Sequence, residues 1–368
     1  MTGCIVFHYH VLSDPGDIAA RAEALLLEQT VELSRAAASD DWVRDNIIGE
    51  VLSIEPRAGG GFAVAIAQAL RTTALDPAQF LNVAFGNSSL QPDVKLAGVE
   101  PPDEFFKTFR GPRFGADALR EKLGAHRRAL TATALKPMGL PAAKLAALAH
   151  AFAVAGIDVI KDDHGLADHD FCSFEQRVEL CQCAVAKANA ETGGRTIYAP
   201  NLIGSPASVH RQFAFAREAG VGAVLLSPML VGPGLLHELA GAAALPIIAH
   251  PAFGGSEWIA PEVLFGDVFK WFGADASIFP HLGGRFSYSR ETCLSLAARL
   301  NSSAHGLKPA FPVPAGGIKT SRVREVLSFY GVDTILLVGG SLLESGEVIQ
   351  RTRDFVAEAA RVSKELAS

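Results

Sequence analysis

The chain has 368 residues, 49% apolar and 20% charged, which is enough for a large core and for about two domains. A formal net charge of -6 and the lack of any lysine–arginine block argue against nucleic acid as a partner. No run reaches the roughly 20 apolar residues of a membrane span. The opening "MTGCIVFHYHVLSD" turns polar too early for a secretory leader, and five scattered cysteines read as reduced thiols, so a cytoplasmic location is expected.

Residues 4–10, "CIVFHYH", predict a first strand. Residues 16–33 predict a helix with Ile18, Ala22, Leu25 and Leu26 on its apolar side. "VLSIEP" and "GGFAVAIAQAL" predict strands, and 77–87 a helix leading into "FGNSS". Two rounds of short strand and helix predict a small α+β sandwich. "GVEPPDEFFKTFRGPRFG" is a proline- and glycine-rich bridge. It puts a boundary near 115, with 1–115 as one domain and 116–368 as the second.

From about residue 130 short apolar segments alternate with helical ones. The strand candidates are "TATALKP", "IDVIKDD", "TIYAPN", "AVLLSP", "LPIIAH", "ASIFPH", "FPVPAGG" and "TILLVGG". Between them lie helical stretches such as 141–156, 173–193 and 205–220. Eight strands with intervening helices predict a closed (β/α)8 TIM barrel rather than an open sheet. The glycines of "GPRFGADALREKLG" do not form the GxGxxG of a dinucleotide fold.

In such a barrel the chemistry gathers at the carboxyl ends of the strands. Those ends carry Lys136, then Lys161, Asp162, Asp163 and His164, then Asn201, Ser227, His250 and His281. The last two strands end in the pairs Gly316–Gly317 and Gly339–Gly340. Unobstructed backbone N–H groups before a helix start suit a phosphate, although tight turns alone also call for glycine. The two-residue period of a strand puts Lys161 and Asp163 on one side and Asp162 on the other, where it serves as a structural partner. Asp163 and its neighbours suit a hard cation, magnesium by preference. An ammonium cannot be a ligand. Lys161 therefore either pairs with Asp163 or, carbamylated by CO2, presents a carboxylate. His164 either completes a ligand set or orients one.

These segments resemble the large chain of ribulose-bisphosphate carboxylase, and specifically its non-carboxylating relatives, the RuBisCO-like (form IV) proteins. "ALKPMGLP" resembles the family's first catalytic-lysine segment, "GIDVIKDDHG" its metal segment, and "PVPAGGI" and "LLVGG" its two phosphate turns. "FGN" at 85–87 and Glu28 of "LLLEQTVE" resemble residues that reach a neighbouring subunit's barrel. The resemblance implies Lys136 as the proton carrier and Lys161 as the carbamylated lysine. It further implies Mg2+ on Lys161, Asp163 and His164, and a sugar phosphate on Gly316, Gly317, Gly339 and Gly340. His250 and His164 are further catalytic candidates. Glu28 and Asn87 imply a homodimer or a larger assembly of dimers.

The departures are informative. His164 stands where the family has a glutamate, "KPMGL" lacks the second lysine of the carboxylases' K-P-K-L-G, and the loop "PHLGGRFSYSRETC" has no lysine to steady CO2 addition. His250 is followed by Pro251 instead of the phosphate-binding arginine. Carboxylation is therefore not expected. The expected activity is enolisation and proton transfer on a ketose phosphate, with 5-methylthioribulose 1-phosphate isomerisation or a related methionine-salvage tautomerisation foremost. Decarboxylation of a 3-oxo sugar-acid phosphate is the alternative, and a non-catalytic scaffold the reading of another class. A methylthio group calls for an apolar patch, for which Phe253, Trp258, Phe279 and Phe286 are candidates.

Overall fold

In β1 (Cys4–Val11) every second residue, Ile5, Phe7, Tyr9 and Val11, is buried, as expected of a strand with one face on a core. A computed structural model describes residues 3–255, 258–344 and 346–367. β1 is joined by β2 (Glu50–Pro56), β3 (Phe62–Ala69) and β4 (Val94–Glu100) in an antiparallel sheet of order β2-β3-β1-β4. β4 is an element that the sequence reading missed, because its last residues open the glycine–proline bridge. The helix expected over 16–33 spans Ile18–Glu28 and buries Ile18, Ala22, Leu25 and Leu26. The helix Pro77–Phe85 starts where Asp76 accepts from the amides of Ala78 and Gln79 and Pro77 fills the first turn. It delivers Phe80 to an aromatic cluster with Phe7, Phe105 and Phe109.

The chain forms two compact units, Met1–Arg110 with Gly255–Leu264, and Gly111–Gly254 with Phe265–Ser368. The detached piece Gly255–Leu264 belongs to the first unit through β4. The Leu96 amide donates to the Trp258 carbonyl at 2.8 Å, and the Ala260 amide to the Leu96 carbonyl at 2.9 Å.

Among the described residues the second unit carries nine parallel segments: β5 (Leu130–Leu135), β6 (Val159–Asp162), β7 (Ile197–Ala199), β8 (Asn201–Leu202), β9 (Val224–Leu226), β10 (Ile247–Ala249), β11 (Ala276–Pro280), β12 (Phe311–Ala315) and β13 (Ile335–Leu337). They form two sheets of order β13-β5-β6-β7 and β12-β11-β10-β9-β8. β7 and β8 are separated only by Pro200, whose missing N–H removes a ladder bond. β12 lies against β13. Alternate strand residues, among them Ala132, Val159, Ala199, Leu225, Ile248, Ile278, Val313 and Leu337, build one apolar core, to which the helix Gly115–Leu123 adds Leu119 and Leu123. Ser173, Ser205 and Ser289 cap the helices Phe174–Thr192, Pro206–Glu218 and Arg290–Asn301 through their hydroxyls. Among the described residues no helix is long and apolar enough to cross a membrane.

Candidate active site

The interior rows do not stop at the apolar core. Four residues beyond Ala132 stands Lys136, two beyond Val159 stands Lys161, and two beyond Ala199, Leu225 and Ile248 stand Asn201, Ser227 and His250. Side chains alternate along a strand, so each row changes from apolar to polar at its carboxyl end.

The centre of the group is Asp163. Lys136 Nζ lies 2.5 Å from Asp163 Oδ1, and His164 Nδ1 lies 3.5 Å from the same oxygen. Burial by itself would raise the Asp163 carboxyl. The contacts from His164 and Lys136 and the charge of Lys161 outweigh burial and hold the carboxyl well below the usual carboxylate range. Lys161 is 4% exposed and donates to the backbone oxygen of Asp162 at 3.0 Å. Burial pulls its ammonium down to about 8, with Lys136 adding and Asp163 opposing. The plain Lys161–Asp163 ion pair that the spacing allows is thus not the contact formed, since Lys136 takes the carboxylate.

Asp162 faces the other way. It is fully buried and accepts from Arg177 Nε at 2.9 Å, from the Tyr198 hydroxyl at 2.8 Å and from the Asn201 amide at 3.0 Å. Arg177 was missed in the sequence, although a signal exists. It falls in the stripe of Phe174, Val178, Cys181, Val185 and Ala188, all buried, where a charged residue needs a buried partner. In the sequence Asn201 stands only as a polar strand end. Its Nδ2 donates to the carbonyls of His164 at 3.0 Å and Leu166 at 2.9 Å.

His250 stacks on His164 with ring centroids 4.4 Å apart. Its Nδ1 accepts from the Ala252 amide at 3.1 Å, which places the hydrogen of a neutral ring on Nε2. Burial pushes its pKa down to about 2, and the charges of Lys161 and His164 add to this. Near Lys136, a Cβ on Gly339 would stand 3.9 Å from Lys136 Cε, so that turn runs beside the amine. Gly316 and Gly317 have φ of 98° and 110°, conformations a side chain would strain. Their amides donate to no backbone or side-chain acceptor among the described residues. Gly340 opens the single turn Gly340–Leu342. His281 is 2% exposed, with Nδ1 3.2 Å from the Tyr330 hydroxyl.

Two candidates lie in the first unit. Asn87 Nδ2 donates to Glu28 Oε1 at 3.0 Å, and both line a cleft of about 290 Å³ with Thr30, Glu32, Gln79 and Asn82. Buried Gln29 fixes the helix end beside them, accepting from Ser88 Oγ and donating to the Val83 carbonyl, both at 2.6 Å. The expected apolar patch is corrected at one position. Phe279 is fully buried against Tyr330 and belongs to the core, whereas Phe253, Trp258 and Phe286 are exposed. Among the described residues no three or more His, Cys, Asp or Glu side chains gather in a way that could hold a metal.

Residues 115–250 match the family described as "Ribulose bisphosphate carboxylase large chain, catalytic domain". The chain is 47% identical to "Ribulose bisphosphate carboxylase-like protein 1" of Rhodopseudomonas palustris, over 98% of both chains. It is 42% identical to the "5-methylthioribulose-1-phosphate isomerase" of Rhodospirillum rubrum, over 98% of this chain and 97% of that one. The crystal structure of a Rubisco-like protein from Rhodopseudomonas palustris superimposes with a TM-score of 0.92 at 44% identity, covering 98% of each chain.

The His250 geometry has a measurable outcome. Nitrogen-15 NMR of the ring should show a neutral imidazole with its hydrogen on Nε2 throughout pH 6 to 8. The depressed folded-state pKa means that the unfolded chain binds this proton more readily. The contribution to stability is therefore whole above the ordinary value of 6.5 and falls away as the pH drops towards 2. Denaturant titrations should show His250→Asn losing less stability than the parent over that range. A ring that titrates near 6.5 would contradict this.

Proposed function

The chain belongs to the RuBisCO-like (form IV) proteins of the ribulose-bisphosphate carboxylase large-chain family, and on that premise we propose that it moves a proton between neighbouring carbons of a ketose phosphate, as an isomerase acting on 5-methylthioribulose 1-phosphate. The observation that carries this reading is the contact of Lys136 with Asp163 beside the buried amine of Lys161. The likeness to the Rhodospirillum rubrum isomerase over almost the entire chain supports the substrate. The two parallel sheets are read as one (β/α)8 barrel, supported by the run of β7 into β8 across Pro200 and by β12 lying on β13. The antiparallel unit is read as a separate domain.

Lys136 in its neutral form removes the C–H proton next to the carbonyl and leaves an enediolate. Return of a proton to the adjacent carbon completes an isomerisation with no net gain or loss of atoms. Neutral His250, with its hydrogen on Nε2, donates to a developing oxyanion. The amides of Gly316, Gly317, Gly339 and Gly340 receive the ester phosphate, and exposed Phe253 and Phe286 offer apolar surface for a methylthio end. Unmodified, the group does not suit magnesium, because Asp163 is its sole carboxylate among the described residues and the Lys161 amine is no ligand. A Lys161 carbamate supplies the missing oxygens, so that Lys161, Asp163 and His164 together would hold the ion. When bound, magnesium polarises the carbonyl and lowers the barrier to proton removal.

Lys136→Met should lower wash-in of solvent deuterium at the substrate carbon by roughly 10²–10⁴-fold. Calorimetry should still detect substrate binding, and inorganic sulfate should compete with it. Near-normal exchange in the variant would remove Lys136 as the base, and release of CO2 from a sugar-acid phosphate without isomerisation would replace the reaction.

With carbon-13 bicarbonate and magnesium present, a carbamate resonance should grow between pH 7 and 9, as the Lys161 amine loses its proton around 8. It should vanish in Lys161→Met. A fully active enzyme without that resonance would overturn the metal site.

The cleft at Glu28 and Asn87 is read as serving the site of a second copy, which makes the working form at least a homodimer. Glu28→Gln should be inactive alone and regain activity when mixed with Lys136→Met subunits, since one of the two sites in a mixed dimer is intact. Full activity of Glu28→Gln by itself would count against a shared site.

A further inference from the structure

The segment that carries Asp163 and His164 is not held by a strand ladder. β6 ends at Asp162, and the chain then turns through Gly165. Its backbone is tied at two carbonyls by a side chain from β8, and His169 Nε2 lies 3.1 Å from the Gly165 carbonyl between them. Asn201 Nδ2 donates to the carbonyl of His164 at 3.0 Å and to that of Leu166 at 2.9 Å, one bond for each of its two hydrogens. Asn201 is held in turn by its own amide, which donates to Asp162 Oδ2 at 3.0 Å. Arg177 and Tyr198 fix that carboxylate from outside. The connections run in series from the helix Phe174–Thr192, through Asp162 and Asn201, to His164 and Leu166 in the turn that follows Asp163.

A second feature sets Asn201 apart from a packing residue. It is fully buried, and its Oδ1 has no hydrogen-bond partner among the described residues. Buried polar atoms are rarely left in that state, so this one calls for an explanation. Asn201 continues the interior row of Ile197 and Ala199, and Ala199 pairs with Lys161. The free oxygen therefore belongs to the side of the strands that carries Lys161.

We propose that Asn201 is a positioning residue for Asp163 and His164, clamping the turn that follows Asp163 at the His164 and Leu166 carbonyls with its amide nitrogen while its amide oxygen stays available as an acceptor within the site. This rests on the reading that Asp163 and His164 serve the proposed reaction. A clamp of this kind governs where the groups stand and leaves their identity unchanged. Its loss should then fall on turnover more than on substrate affinity, because small misplacements of reacting groups are costly.

The test uses Asn201→Ser and Asn201→Leu in the full chain. Ser is small enough to fit and too short to reach both carbonyls, whereas Leu keeps the volume without any donor. Both should lower kcat on 5-methylthioribulose 1-phosphate roughly 10- to 100-fold with KM within about threefold. Both should weaken magnesium binding, followed by calorimetry in bicarbonate. Amide hydrogen exchange should quicken in residues 163–168 and stay as in the parent at the ends of β10 and β12. Exchange that rises evenly through the molecule would mark a structural residue and overturn the proposal, as would parental turnover and magnesium affinity in either folded variant. Asp163→Asn, run in parallel, separates the two levels. If it too keeps parental turnover, the reading of the site fails; if it is inactive while both Asn201 variants are normal, only the clamp fails. Should neither variant fold, exchange in Tyr198→Phe, which removes one bond to Asp162, must still be quickest in 163–168 for the proposal to stand.

Discussion

Everything at the carboxyl end of β6 depends on one fully buried carboxylate. Asp162 has no exposed surface, and a carboxylate in that position is tolerated only when donors surround it. Arg177, Tyr198 and the Asn201 amide provide them. Because Asp162 is locked on the helix side, the two-residue period forces Lys161 and Asp163 onto the interior side. A slip of one residue would bury both of them in the helix layer and send Asp162 among the interior groups. The register of one short strand thus decides which charges face the site.

The two lysines show how position divides a single residue type. Lys161 has almost no exposed surface and is displaced towards its neutral amine, whereas Lys136 keeps about a third of its side chain exposed and holds Asp163. Two amines around one carboxylate leave the interior end locally positive, which suits an anionic substrate even in a chain whose overall charge is -6. The turns after β12 and β13 are made by glycine pairs, so they add no side chains there.

Much of this was legible in the sequence because short buried strands ending in polar residues leave a plain pattern, and the sides taken by Lys161, Asp162 and Asp163 follow from strand geometry alone. What escaped was tertiary. The partner of Asp163 is Lys136, one strand away, and the partner of Asp162 lies a helix turn into the next element, so neither contact is encoded in local spacing. β4 was hidden because Gly98 sits inside it, opposite His8 across the ladder where an added Cβ would crowd the His8 side chain, and a glycine there reads as a breaker. Phe279 looked like a rim aromatic because it ends an apolar run, and only its packing on Tyr330 reveals a core residue.

The piece Gly255–Leu264 has a consequence for how the chain is made. β4 is the outermost strand of its sheet, and the backbone bonds from Leu96 to Trp258 and Ala260 are what cover its free side. As the chain leaves the ribosome, that covering strip emerges only after β5 through β10 have been synthesised. Until then the nascent antiparallel sheet presents a bare rim of amides and carbonyls, the feature that invites strand addition from another chain. The amino-terminal unit is therefore finished late, and shielding of that rim during synthesis is a burden that the mature protein no longer displays.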